Sequence, residues 1–171
     1  VKLGHRDANK LYAEPLKAQL AAAGLGTVVD CRRRVRASGL LIGVDLHLGL
    51  TDVSHEALLT VTGMLELLAA PCGSSIRLAE GIGHPILFGR TEGLELSIDS
   101  QIAPDADARR ELAQTCREAI EAISVSRGWN VSDAQTHFYF YGENFGEMRR
   151  RLSRILSDHP LYGDAMLRRV A

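Results

Sequence analysis

Leu40, Ile42, Val44, Leu46, Leu48 and Leu50 occupy alternate positions, with Leu41, Gly43, Asp45, His47 and Gly49 between them. A period of two with one apolar set predicts a half-buried antiparallel strand over 40–50. The Val- and Thr-containing stretch 27–35 precedes it, and Ala37-Ser38-Gly39 supplies the turn of a hairpin. Alternation returns over 92–99, where Leu94, Leu96 and Ile98 are expected inward and Glu95, Ser97 and Asp99 outward. Over 136–141, Phe138 and Phe140 fall on one side and His137, Tyr139 and Tyr141 on the other. Shorter strands are expected at 75–79, 86–88 and 165–170.

Between the strands the apolar rhythm changes to that of helices. Leu11, Leu16 and Leu20 lie near one stripe of a segment over 8–23, which Asp7 would cap. Pro15 starts that helix or kinks it, and Gly24 and Gly26 stop it. Ser54 opens a second helix on Leu58, Val61, Leu65 and Leu68, ended by Pro71 and Gly73. Pro104 and Asp105 open the longest, expected over 106–127 on Leu112, Cys116, Ile120 and Ile123, with Gly128 as its stop. A fourth covers 143–157 on Phe145, Met148, Leu152 and Ile155 or Leu156.

Four amphipathic helices and seven or eight short strands predict an α+β fold, a two-layer sandwich of helices on a mainly antiparallel sheet. The chain is expected to be a single compact unit over 1–171. A boundary between two loosely similar halves falls near 81–93, at Gly81, Gly83 and Gly93. Halves of that size are marginal alone, so a shared sheet or core is expected.

Composition narrows the function classes. The 171 residues are 46% hydrophobic and 24% charged, within the ordinary globular range. Twenty Lys and Arg against 21 Asp and Glu give a net charge of −1, which argues against a dedicated nucleic-acid binder or a polybasic membrane anchor. Cys31, Cys72 and Cys116 are odd in number and widely spaced, so they read as reduced thiols rather than as a disulfide or zinc framework. No apolar run reaches the ~18 residues of a membrane span. Residues 1–10 contain no signal-peptide core. A cytoplasmic protein is expected.

Candidate chemistry is sparse. Asp45 and His47 share a strand face, and His137 lies on the polar side of another strand. If those strands were neighbours, the three would converge as a metal site or an acid–base pair, with Glu95 as a further member. If not, they are the polar face that alternation demands. Arg32, Arg33, Arg34 and Arg36 beside the hairpin turn read as a contact for phosphate or an acidic protein, or as a charged edge that blocks aggregation. Arg149, Arg150, Arg151 and Arg154 follow Glu143 and Glu147 as a solvated helix face. Gly81-Ile82-Gly83-His84-Pro85 lacks both a following helix and a Walker lysine, and Ser74-Ser75 is no nucleophile elbow. The Phe138-Tyr139-Phe140-Tyr141 strand is similar to base-stacking sheets, but its phenylalanines are expected in the core and acidic neighbours oppose RNA.

Asp7 to Leu16, with Leu20, Ala23-Gly24-Leu25-Gly26 and Val28, resembles the opening of small uncharacterised bacterial α+β proteins. The other end resembles them in Tyr141-Gly142, His159-Pro160-Leu161, Gly163-Asp164-Ala165 and the strand Met166 to Arg169. That likeness implies ferredoxin-like build, with two such halves as one reading of the chain. It also implies a role that some such proteins have, as immunity partners of secreted bacterial toxins. The motifs are a helix start, a helix stop and a turn, and they name no reaction.

The resulting expectation is a non-enzymatic, protein-binding module that needs no cofactor or metal, docks a protein partner or a second copy, and binds neither nucleic acid nor membrane. Its candidate binding residues are Arg33, Arg34, Asp45, His47 and His137. Two other readings stay open. One is a small hydrolase or metal-dependent enzyme using the His/Asp cluster; the other is a ligand-binding regulatory dimer.

Overall fold

A computed structural model describes residues 8–35, 41–79, 83–132, 134–158, 162 and 164–171. Expectations resting on Asp7, the turn at 37–39, Gly81 and residues 159–161 and 163 lie outside the described residues. The chain is mixed α+β. It has four α-helices and eight strands among the described residues, and it divides into two compact units, one ending at Thr91 and the other beginning at Glu92. The strands form three antiparallel sheets rather than one. Among the described residues no helix is long and apolar enough to cross a membrane.

In the first unit a π-helical turn, Asn9–Ala13, runs into α1, Glu14–Ala22. Pro15 sits in the first turn of α1, directly after the π-helical turn that continues into it. β1, Gly26–Val35, pairs with β2, Leu41–Leu50. α2, His55–Leu67, follows, with the Ser54 side chain accepting from the Ala57 N–H. β3, Ser74–Ile76, shorter than expected, then pairs with β4, Ile86–Phe88. Leu16 and Leu20 of α1 and Val61 and Leu65 of α2 form the core, with Leu46, Leu48, Leu50 and Phe88 packed against it.

Both helices of this unit end in the same way. The Leu25 N–H returns to the Leu20 carbonyl and the Gly24 N–H to Ala21; Ala70 N–H returns to Leu65 and Ala69 N–H to Glu66. This paired closure requires a left-handed residue. Gly24 fills it at φ +66, but at the second helix Ala69 takes φ +57. An L side chain there is strained by roughly 1 kcal/mol. Ala69→Gly is therefore expected to stabilise the first unit by about 1 kcal/mol in urea unfolding followed by circular dichroism.

The second unit runs β5 (Glu92–Asp99), α3 (Ala106–Ile120), β6 (Ser124–Val131), β7 (Gln135–Gly142), α4 (Phe145–Ser157) and β8 (Met166–Arg169). Its sheet order is β6-β7-β5-β8. Asp105 caps α3 and Asn144 caps α4, one residue beyond the expected start. Leu94, Leu96 and Ile98 meet Phe138 and Phe140 beneath Leu112, Cys116 and Ile120 of α3 and Met148 and Leu152 of α4.

Two expectations fail in this unit. The third helix ends at Ile120, not near 127, and after a turn at 121–123 the chain enters strand β6. Gly128 is not a helix stop but the φ +84 residue where the β6 ladder shifts register, between Ser126 and Trp129. Glu95 and Ser97 do not point to water. They are 0% and 3% exposed, and only Asp99 of the expected outward set is exposed. Both faces of β5 are covered.

Burial pushes the Cys116 thiol up to about 12. In the unfolded chain a thiol titrates near 8.5. The folded value is the higher, so its contribution is whole below about pH 8.5 and is lost as pH rises through about 12. Chemical unfolding at a series of pH values is expected to show stability falling across that window, with a shallower fall in Cys116→Ala. Tyr139, also pushed to about 12, adds to the loss above pH 10 in both proteins.

Candidate functional site

The β1–β2 ribbon places four of the five candidate residues. Cross-strand partners share a face. Asp30 lies opposite His47, Arg32 opposite Asp45, and Arg34 opposite Gly43. These six positions form the outward face. Arg33, opposite Val44, belongs with Cys31 and Leu46 on the face turned toward the apolar core, although Arg33 itself is exposed. The switch arises at Val29, an extra residue in the ladder that stands 69% exposed.

The outward charges largely satisfy one another. Arg32 Nε lies 2.5 Å from Asp30 Oδ2, and Arg34 Nε lies 3.2 Å from Asp45 Oδ1. The Arg32 hydrogen bond holds the Asp30 carboxyl below its ordinary range, helped by the Cys31 N–H and the neighbouring His47. The Arg34 guanidinium crosses over Gly43, where a Cβ would stand 2.6 Å from Nη2. Glycine leaves room for that crossing. The ribbon thus presents two ion pairs and an imidazole, not a field of unmatched cations.

His137 lies elsewhere. It is on β7, between β5 and β6, whereas β2 pairs only with β1 among the described residues. Strand pairing therefore does not bring Asp45 and His47 beside it, and the triple convergence is not formed that way. His137 meets Glu95 instead. Its Nδ1 is 3.3 Å from Glu95 Oε1 and 2.9 Å from Ser97 Oγ, and Ser97 Oγ is 3.1 Å from the same Oε1. Arg168 reaches in from β8, with Nε at 2.7 Å and Nη2 at 2.5 Å.

Register explains this gathering. Glu95 faces Tyr139 on one side and Arg168 on the other, and Ser97 faces His137. The two rows lie on the sheet face away from α3 and α4. Burial and the Glu95 charge raise the Tyr139 phenol, against Asn130 and Arg168. One proton arrangement satisfies the cluster: His137 carries its proton on Nδ1, and Ser97 donates to Glu95.

Chemically the cluster neutralises a buried carboxylate. In a serine relay, the hydroxyl and the acid sit on opposite ring nitrogens of the histidine. Here both share Nδ1, and Ser97 is 3% exposed. No nucleophile is presented. Among the described residues no group of three His, Cys, Asp or Glu side chains is placed to hold a metal ion. Sequence reasoning named Glu95 as an acid but not Arg168. The pairing of an interior acid with the last strand depends on a register that no local motif encodes.

Comparison with protein-family models, with curated proteins and with solved structures finds no match to this chain.

Proposed function

We propose that the protein is a non-enzymatic binding module that docks a protein partner on the outward face of the β1–β2 ribbon. Neutralisation of a bacterial toxin in the cytoplasm is its most concrete form. The observation that carries this reading is the ribbon itself. It is ten residues long in each strand and only two strands wide, and it bears a row of exposed or half-buried polar side chains at 30, 32, 34, 45 and 47. A rigid strand pair offers such side chains at fixed spacing, and guanidinium groups already oriented by carboxylates lose little freedom when a partner binds. The β-α-β-β-α-β order of the second unit supports a ferredoxin-like reading of that half. The first unit, with its order α-β-β-α-β-β, supports no simple repeat of it.

The test is co-expression with the product of the adjacent reading frame, followed by titration of the purified pair. Saturable binding and relief of that product's toxicity are expected. Arg32→Ala/Arg34→Ala and Asp45→Ala/His47→Ala should each weaken binding at least tenfold while the circular dichroism spectrum is unchanged. Undiminished binding in both double variants would overturn the choice of surface.

A further inference from the structure

The outer edge of β2 is a second feature of the ribbon, distinct from its outward face. Among the described residues β2 pairs with β1 alone, and no backbone hydrogen bond leaves residues 43–50 except to β1. β1 carries devices that discourage pairing, namely the Val29 bulge and exposed arginines. From Gly43 to Leu50, β2 carries no proline, lysine or arginine, and no residue of that stretch is bulged out of the ladder. A two-stranded sheet is also narrow, since three or more strands are ordinarily needed for independent stability.

The sequence of that edge reads alike from both ends. About Leu46 the flanking residues are Asp45 and His47, then Val44 and Leu48, then Gly43 and Gly49. Two antiparallel copies related by a two-fold axis at Leu46 would set residue 45 opposite residue 47 of the other copy, 44 opposite 48, and 43 opposite 49. Every such pair is complementary: acid with imidazole, aliphatic with aliphatic, glycine with glycine. A closed two-fold interface demands this self-complementarity of a single surface. Asp45 and His47 share the outward face, so both cross-copy pairs would form on one side of the sheet. Asp45 is 47% exposed despite its contact with Arg34 and retains accepting capacity.

We infer that a second copy of this chain adds to β2, giving a four-stranded β1-β2-β2-β1 sheet centred on Leu46. This does not rest on the toxin-binding reading, which uses the ribbon's face.

Sedimentation equilibrium of the intact chain tests it. A reversible dimer, of twice 18.6 kDa, is expected at high micromolar concentration. His47→Asp sets carboxylates opposite each other at both symmetric places and should weaken the dimer about tenfold or more. Asp45→His/His47→Asp exchanges the two members of each pair and should restore it. Both positions face solvent, and circular dichroism verifies that the variants fold. A strict monomer would overturn the inference and leave this edge open to a partner's strand. A dimer indifferent to His47→Asp, or one that the exchange fails to rescue, would overturn it equally.

Discussion

Arg168→Met is expected to destabilise the second unit by about 1–3 kcal/mol at neutral pH, because a buried carboxylate loses a charged hydrogen-bond donor. Glu95 is the carboxylate at risk, since its side chain is 1% exposed whereas that of Arg168 is 59% exposed. Trp129, the chain's single tryptophan, lies on β6 against Phe138 and reports on this unit by fluorescence in urea. Glu95→Leu/Arg168→Leu should cost far less than Arg168→Met alone, since replacing both members with apolar side chains is often nearly neutral. A single substitution as mild as the double would show that the carboxylate is not held by Arg168.

Leu96→Ala should cost about 3–5 kcal/mol. Leu96 is wholly buried, on the face of β5 opposite the Glu95 cluster, in the layer that meets α3 and α4. Interior packing is dense, so the vacated volume is only partly refilled and its lining loses dispersion contacts. Leu96→Met keeps most of the volume and should cost under about 1.5 kcal/mol. Leu67→Ala, at a position 83% exposed, should stay within about 0.5 kcal/mol of the parent protein. Urea unfolding followed by Trp129 measures the first two and circular dichroism the third. If Leu96→Ala falls in the range of Leu67→Ala, the assignment of Leu96 to the core is wrong.

Elements with a local cause were readable from the chain. Ser54 capped α2 as expected, the alternation after Gly39 produced β2, and the Leu94-Leu96-Ile98 rhythm placed β5 over Glu92–Asp99. β6 was missed because Ile120 and Ile123 prolong the helical spacing and Gly128 suits either a helix end or a bulge. Only pairing with β7 decides between them. Burial of Glu95 was missed for a different reason. Alternation shows which side chains share a face, not whether that face is covered. The unbroken run Phe138-Tyr139-Phe140-Tyr141 carried the missing signal, since a strand apolar on both sides is normally buried on both.

The candidate site was legible in the same uneven way. That Asp45 and His47 share a face followed from their spacing. That Asp45 meets Arg34, and Glu95 meets Arg168, did not, because cross-strand register is a property of the whole ladder.

Register also makes Val29 unlike its neighbours. Val28 faces Leu48 and Asp30 faces His47, so the valine between them has no counterpart in the ladder. Its deletion would close the strand with every remaining side chain still on its own side. Losing Cys31 or Arg33 instead would reverse the parity of the residues beyond, turning arginines onto the oily layer or cysteine out of it. Val29 is thus a residue whose loss the ribbon can absorb without misdirecting its charges.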